Sequence, residues 1–91
     1  MKESNIQSSI LTYLKSIGCY TVNVMKASKA GVPDILCNYK GHFIAIEVKT
    51  PTTRFDTSEL QKYNLECISK SGGVGFVACS LQEVKDRLAL L

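Results

Sequence analysis

Three residues in the first half of the chain could do chemistry together: Asp34, Glu47 and Lys49. Asp34 ends the stretch Gly31-Val32-Pro33-Asp34, and the apolar run Ile35-Leu36-Cys37 follows it. Glu47 and Lys49 bracket Val48 at the end of a second apolar run, Phe43-Ile44-Ala45-Ile46. Two apolar runs divided by Lys40-Gly41 read as a β-hairpin. With a two-residue loop at Lys40-Gly41, Tyr39 faces His42, and pairing carried outwards sets Asp34 opposite Glu47. A four-residue loop centred on the same bond gives the same register. Opposed residues share a face with Cβ atoms roughly 5 Å apart, and Lys49 joins that face by alternation. Two carboxylates so placed repel: at an effective dielectric of about 20, unit charges about 5 Å apart cost on the order of 3 kcal/mol. A bound proton, the Lys49 ammonium or a divalent cation would offset this. Hard carboxylate oxygens with room for water suit Mg²⁺ or Mn²⁺, and the Val48 carbonyl, emerging between Glu47 and Lys49, is a further ligand. The set reads as a metal site with a catalytic lysine beside it, able to position a water or stabilise developing negative charge. Singly, each feature has a plainer reading: Asp34 caps a turn, and Glu47-Lys49 is a solvated strand end. The joint reading rests on Glu47 interrupting an apolar run opposite the one other nearby acid.

The elements that must position these residues are legible in order. Ser4 with Gln7 forms a capping-box pattern, and Ile6, Ile10, Leu14 and Ile17 recur at helical spacing until Gly18. Glu3, on the face of Gln7, Ile10 and Leu14, either points towards the acidic pair or frays at the helix start, where its charge suits the dipole. Cys19 to Met25 reads as the first strand. A basic loop, Lys26-Ala27-Ser28-Lys29-Ala30, delivers Asp34 to the next strand, with Gly31 and Pro33 setting its path. Lys26, Ser28 and Lys29 are candidate phosphate contacts; the same loop is equally an ordinary solvated one. The hairpin fills 34 to 49, with both faces largely apolar, so its strands should be central and covered on two sides. Arg54, in the loop after Thr50-Pro51, is another phosphate-contact candidate. Asp56 or Thr57 caps the next helix, Glu59 completing a box with Asp56, and Leu60, Tyr63, Cys67 and Ile68 form its apolar stripe. Gln61 lies beside that stripe, a surface glutamine or a member of the site. Ser71-Gly72-Gly73 ends the helix, and Val74 to Cys79 is a short strand parallel to that of Glu47. Ser80 with Glu83 starts a closing helix with Leu81, Val84 and Leu88 on one side. The order is αβββαβα: an α/β chain with a mixed four-stranded sheet flanked by helices.

Gly31-x-Pro33-Asp34, then Glu47-Val48-Lys49, then a helical Gln61 together resemble the VRR-NUC branch of the PD-(D/E)xK nucleases, as a small stand-alone, phage-type member. The resemblance runs from Glu3 to the Gly72-Gly73 turn and implies a restriction-endonuclease-like core. It implies metal binding by Asp34 and Glu47, activation of the attacking water by Lys49, support from Gln61, and completion of the site by Glu3. It also implies 5′-phosphate and 3′-hydroxyl products. One departure stands out: where such proteins carry a glycine upstream of the glutamine, this chain reads Thr52-Thr53-Arg54-Phe55, so the path of that loop does not carry over.

Ninety-one residues, 45% hydrophobic and 21% charged, are expected to form a single nuclease-like domain over 1–91. A net charge of +3 suits a phosphate polymer without demanding one. No apolar run is long enough to span a bilayer, so no membrane partner is expected. Cys19, Cys37, Cys67 and Cys79 lack metal-ligand spacing and read as reduced core thiols, pointing to a cytoplasmic setting, the host's if the protein is viral. His42 is the only histidine, and no nucleotide or dinucleotide fingerprint is present, so no organic cofactor is expected. The expected function is Mg²⁺- or Mn²⁺-dependent endonucleolytic cleavage of DNA. No base-reading module is apparent, so cleavage is expected to follow structure, such as branched DNA or four-way junctions, rather than sequence. The alternative is a non-catalytic binding domain that keeps a nuclease-like fold. A homodimer is expected, through the closing helix ending Leu88-Ala89-Leu90-Leu91 or the long helix after Arg54.

Overall fold

The computed structural model describes the whole chain, Met1–Leu91. Helix α1 (Glu3–Ser16) leads to β1 (Tyr20–Asn23), β2 (Ile35–Tyr39) and β3 (His42–Val48). Then follow α2 (Glu59–Lys70), β4 (Val74–Ala78) and α3 (Leu81–Leu88). The four strands form one sheet in the order β1-β2-β3-β4, antiparallel from β1 to β3, with β4 parallel to β3. The expected αβββαβα order and mixed sheet are borne out. Tyr39 faces His42 and Ile35 faces Ile46, the register that a two-residue loop dictates. Lys40 and Gly41 have φ of 50° and 86°, the two left-handed residues that a type I′ hairpin turn requires.

The sheet is covered on both faces where β3 runs through its middle. Ile44, Ile46 and Val48 join Ile35, Cys37, Phe76 and Ala78 beneath Ile6, Ile10 and Leu14 of α1 and Val84 and Leu88 of α3. Ile6, Ile10 and Leu14 are at most 1% exposed, and burying each contributes about 1.5–3 kcal/mol. Ala45 and Glu47 point to the opposite face, which α2 crosses over β3 and β4. All four cysteines are free, but only Cys37 and Cys79 are buried; Cys67, expected in the core, is exposed because α2 turns that face outwards. No helix is long and apolar enough to cross a membrane.

Several local expectations are corrected. The Ser4–Gln7 capping box does not form. The Asn5 and Ile6 N–H groups already reach the Lys2 carbonyl, at 3.1 and 3.2 Å, so α1 begins before Ser4 and no side chain caps it. Gln7 instead donates to Asn23 Oδ1 at 2.7 Å, tying α1 to β1. The first strand is Tyr20–Asn23 rather than 19–25. The cap of α2 is Ser58, not Asp56 or Thr57, and Gln61 rather than Glu59 completes its box. The reason lies upstream: Asp56 N–H bonds the Thr53 carbonyl at 2.9 Å, so the chain is still in a turn at Asp56.

The inward face of α2 is rotated as well. Leu60 and Tyr63 are 47% and 63% exposed and Cys67 is exposed, whereas Asn64 is buried and Gln61, Leu65 and Ile68 are half-buried. Asn64 tolerates burial because its amide donates to the carbonyls of Ala30, at 3.2 Å, and Leu60, at 2.8 Å. Apolar periodicity counts only carbon-rich side chains, so it missed a face carrying two amides.

Gly31 makes the close approach behind that Ala30 contact possible. It has φ +81°, and a Cβ there would lie 2.8 Å from Leu60 Cγ and 2.9 Å from Asn64 Nδ2. Gly41 has a similar φ of +86° but open space around it. Alanine at either position incurs the left-handed backbone cost of about 1–2 kcal/mol. Only Gly31→Ala adds overlap with α2, about 1–3 kcal/mol more. Urea denaturation should therefore show a larger loss for Gly31→Ala than for Gly41→Ala; equal losses would mean that α2 does not hold this loop.

Candidate active site

Asp34 stands where β2 leaves the sheet. One step past the Ile35–Ile46 pair it faces Glu47, at a position with no ladder bonds between the two, where side chains approach most closely. The next residue outward is Pro33, buried and without an N–H to offer the ladder. The strands part there, and Asp34 Oδ2 accepts the Val48 N–H at 2.8 Å. The Asp34 carbonyl accepts the Val24 N–H, also at 2.8 Å. Asp34 is thus held from the strands on both sides of it.

Glu47 is 3% exposed. Its Oε2 accepts from Gln61 Nε2 at 3.3 Å, while Oε1 is buried with no hydrogen-bond partner. The carboxyl is pushed up to about 8, first by burial and then by the Asp34 carboxylate beside it. Glu3 adds to the push and Lys49 opposes it. Without metal, Glu47 therefore holds its proton to a higher pH than an ordinary carboxyl.

The amide of Gln61 has only one workable orientation. Ser58 N–H donates to Gln61 Oε1 at 2.9 Å, and a backbone N–H can only donate, so the amide nitrogen must turn to Glu47. The helix cap and the acidic pair are thereby joined through one side chain. Lys49, half-buried, follows Glu47 on the same face of β3, its N–H bonded to the Ala78 carbonyl at 3.0 Å.

Of the five expected catalytic side chains, Asp34, Glu47 and Gln61 come together; Lys49 follows on the same side, its charge acting on Glu47 without a hydrogen bond or ion pair to either acid. Glu3, the exposed first residue of α1, is near enough for its charge to act on Glu47 but makes no hydrogen bond there. Lys26, Ser28 and Lys29 are exposed on the β1–β2 loop. Arg54 is paired with Glu83 of α3, so its guanidinium also ties the β3–α2 loop down. Three contributors went unrecognised in the sequence: Asn64, which fixes the loop leading to Asp34; the Thr50–Thr53 hydrogen bonds; and Ser58. The last had a signal, since Ser58-Glu59-Leu60-Gln61 is itself a capping-box pattern.

The oxygen set fits a hard divalent cation. A buried, unpartnered carboxylate oxygen beside a second carboxylate is a poor arrangement without a proton or a cation. No group of three or more His, Cys, Asp or Glu side chains comes together here. Besides the two acids, the chain offers the Val48 carbonyl. In an extended strand it turns the same way as its N–H, towards Asp34.

No protein-family model and no curated protein matches the chain. A solved structure described as a VRR_NUC domain is similar to it with a TM-score of 0.80, at 22% sequence identity, covering 96% of this chain and 94% of the other. The resemblance read from Pro33-Asp34, Glu47-Val48-Lys49 and Gln61 is borne out in the fold.

The raised Glu47 carboxyl has a consequence for stability. Its folded value lies above the ordinary 4.5, so the folded state holds this proton more tightly than the unfolded chain. Stability is fully present below pH 4.5 and falls as pH rises through about 8, by on the order of a few kcal/mol. Thermal melts in EDTA across this range should show the decline in wild type and a flatter profile in Glu47→Gln. Matching profiles would rule out a protonated Glu47.

Proposed function

We propose that this chain, whose fold is that of a VRR_NUC domain, is a metal-dependent nuclease that hydrolyses DNA phosphodiester bonds. The observation that carries this reading is the buried Asp34–Glu47 pair, with Glu47 Oε1 unpartnered and Lys49 on the same face. Asp34, Glu47 and the Val48 carbonyl would hold Mg²⁺ or Mn²⁺, which polarises the scissile phosphate and makes a bound water acidic.

The other steps belong to the chain's own residues. Lys49 orients the attacking water and stabilises negative charge growing on the phosphate. Gln61 occupies Glu47 Oε2 and leaves Oε1 for the cation. Asp34, bonded to Val48 N–H, cannot swing away. Glu3 adds negative charge at the margin. Lys26, Ser28, Lys29 and, when released from Glu83, Arg54 contact phosphates, which positions DNA without reading its sequence. Structure-specific endonucleolytic cleavage, of branched DNA or four-way junctions, follows from that lack of base readout. A cytoplasmic setting suits the four free thiols.

Two cuts in a symmetric substrate call for two sites related by a twofold axis, so the active form is a homodimer. Its interface uses α3 with Leu90 and Leu91, or the exposed Leu60 and Tyr63 of α2. Light scattering under cleavage conditions should give twice 10.0 kDa; a monomer mass refutes the dimer.

The lack of a third acidic ligand favours a second reading, a non-catalytic DNA-binding domain. Plasmid cleavage in Mn²⁺ that stops in EDTA selects the nuclease; DNA binding without cleavage selects the alternative. Lys49→Ala should lower the cleavage rate by about 100-fold or more with Mn²⁺ affinity kept, because an ammonium is no ligand. Asp34→Asn should weaken Mn²⁺ binding in calorimetry and raise metal-free stability by relieving repulsion. Unchanged Mn²⁺ affinity in that variant would show that Asp34 is not a ligand.

A further inference from the structure

On the side of Glu47 away from Asp34, a cleft of about 420 Å³ opens between the β3–α2 loop, α2 and β4. Val77 pairs with Glu47 in the β3–β4 register and shares its face; with Leu65 it makes the apolar part of the cleft. Lys62, the residue after Gln61, and Arg54 are its cations; Thr57 and Phe55, the latter 89% exposed, complete the lining. The cleft thus begins beside the acidic pair, and its size is within the roughly 300–1,000 Å³ of small-ligand sites.

A lone exposed ring on a surface needs no explanation. Phe55 differs because its neighbours are fixed. Thr50 and Thr53 exchange hydrogen bonds, Thr50 N–H to Thr53 Oγ1 at 3.0 Å and Thr53 N–H to Thr50 Oγ1 at 3.1 Å. Arg54 is paired with Glu83, and Asp56 N–H bonds the Thr53 carbonyl. The loop therefore displays the ring at a defined place without burying it, so little ordering cost remains for a partner that stacks on it.

Resting on the nuclease reading above, we propose that this cleft takes one unpaired nucleotide of the DNA strand next to the scissile phosphate. The Phe55 ring and the apolar surface of Leu65 and Val77 receive the base. Every base has a π-face, so stacking there is tolerant of sequence. Lys62 receives a flanking phosphate, in exchange with its carboxylate partner Glu59 at 3.4 Å, while Arg54 stays on Glu83 and holds the loop. A paired base is already stacked on both sides and cannot offer its face to the ring. The cleft thus selects DNA with an unpaired base beside the cleaved bond, and it does so without reading base edges.

The test is fluorescence anisotropy in EDTA with two labelled forks. One carries an unpaired arm of natural nucleotides; the other is identical but abasic throughout that arm. Wild type should bind the natural fork more tightly by roughly 5- to 150-fold, the range for one base on an aromatic ring. Phe55→Ala should bring the ratio close to one, and Phe55→Trp should keep it, with melting temperatures unchanged for so exposed a side chain. Equal binding of both forks by wild type, a preference that survives in Phe55→Ala, or no binding to either fork overturns the site. Binding is read without metal, so discrimination between forks by a protein that never cleaves in Mn²⁺ would defeat the nuclease reading and leave the nucleotide site standing.

Discussion

Two carboxylates face each other across β2 and β3, on the side of the sheet that α2 covers, and one of them is almost out of water. Left ionised together, they would oppose folding on the scale of the whole domain's stability. The surroundings limit that cost without removing it. Val48 N–H and the Gln61 amide each take one carboxylate oxygen. Lys49 supplies the opposing charge acting on Glu47, and burial plus Asp34 still win, raising Glu47 to about 8. One oxygen, Glu47 Oε1, is left with nothing. The cation of the proposed function would complete this arrangement.

Much of the fold outside the core serves to hold this pair. Pro33 ends the β2 ladder just where Asp34 must turn its carboxylate to Val48. Gly31 and Asn64 press the preceding loop against α2, fixing the approach to Asp34. Ser58 starts α2 and, through Gln61, sets the amide that meets Glu47. Arg54 and Glu83 bind the intervening loop to α3. Each contact is modest alone, but all converge on the end of the sheet where β2 and β3 separate.

The same convergence shapes the surroundings of the pair. One flank carries the exposed lysines of the β1–β2 loop; the other carries an apolar cleft with a displayed aromatic ring. Under the proposed function, lysines that contact phosphates on one flank and a ring that stacks on a base on the other would suit a distorted nucleic acid better than a regular duplex, which would need only the first.

The chain by itself determined what is local. Positions 34 to 49 form one hairpin, and its register follows from a turn and a period of two, so Asp34 opposite Glu47 was legible in the sequence. The same holds for the order of elements, for the core stripe of Ile6, Ile10 and Leu14, and for the motif whose fold likeness the similarity to a VRR_NUC domain bears out. Tertiary structure decided what depends on residues far apart in the chain. The face α2 buries was set by Asn64 meeting Ala30 across 34 positions, a polar contact invisible to apolar periodicity. Arg54 met Glu83 across 29 positions, which no local pattern announces. The raised Glu47 carboxyl depends on burial under α2 and on charges from α1 and from residues flanking two strands, and burial is a property of the assembled fold rather than of any stretch of sequence.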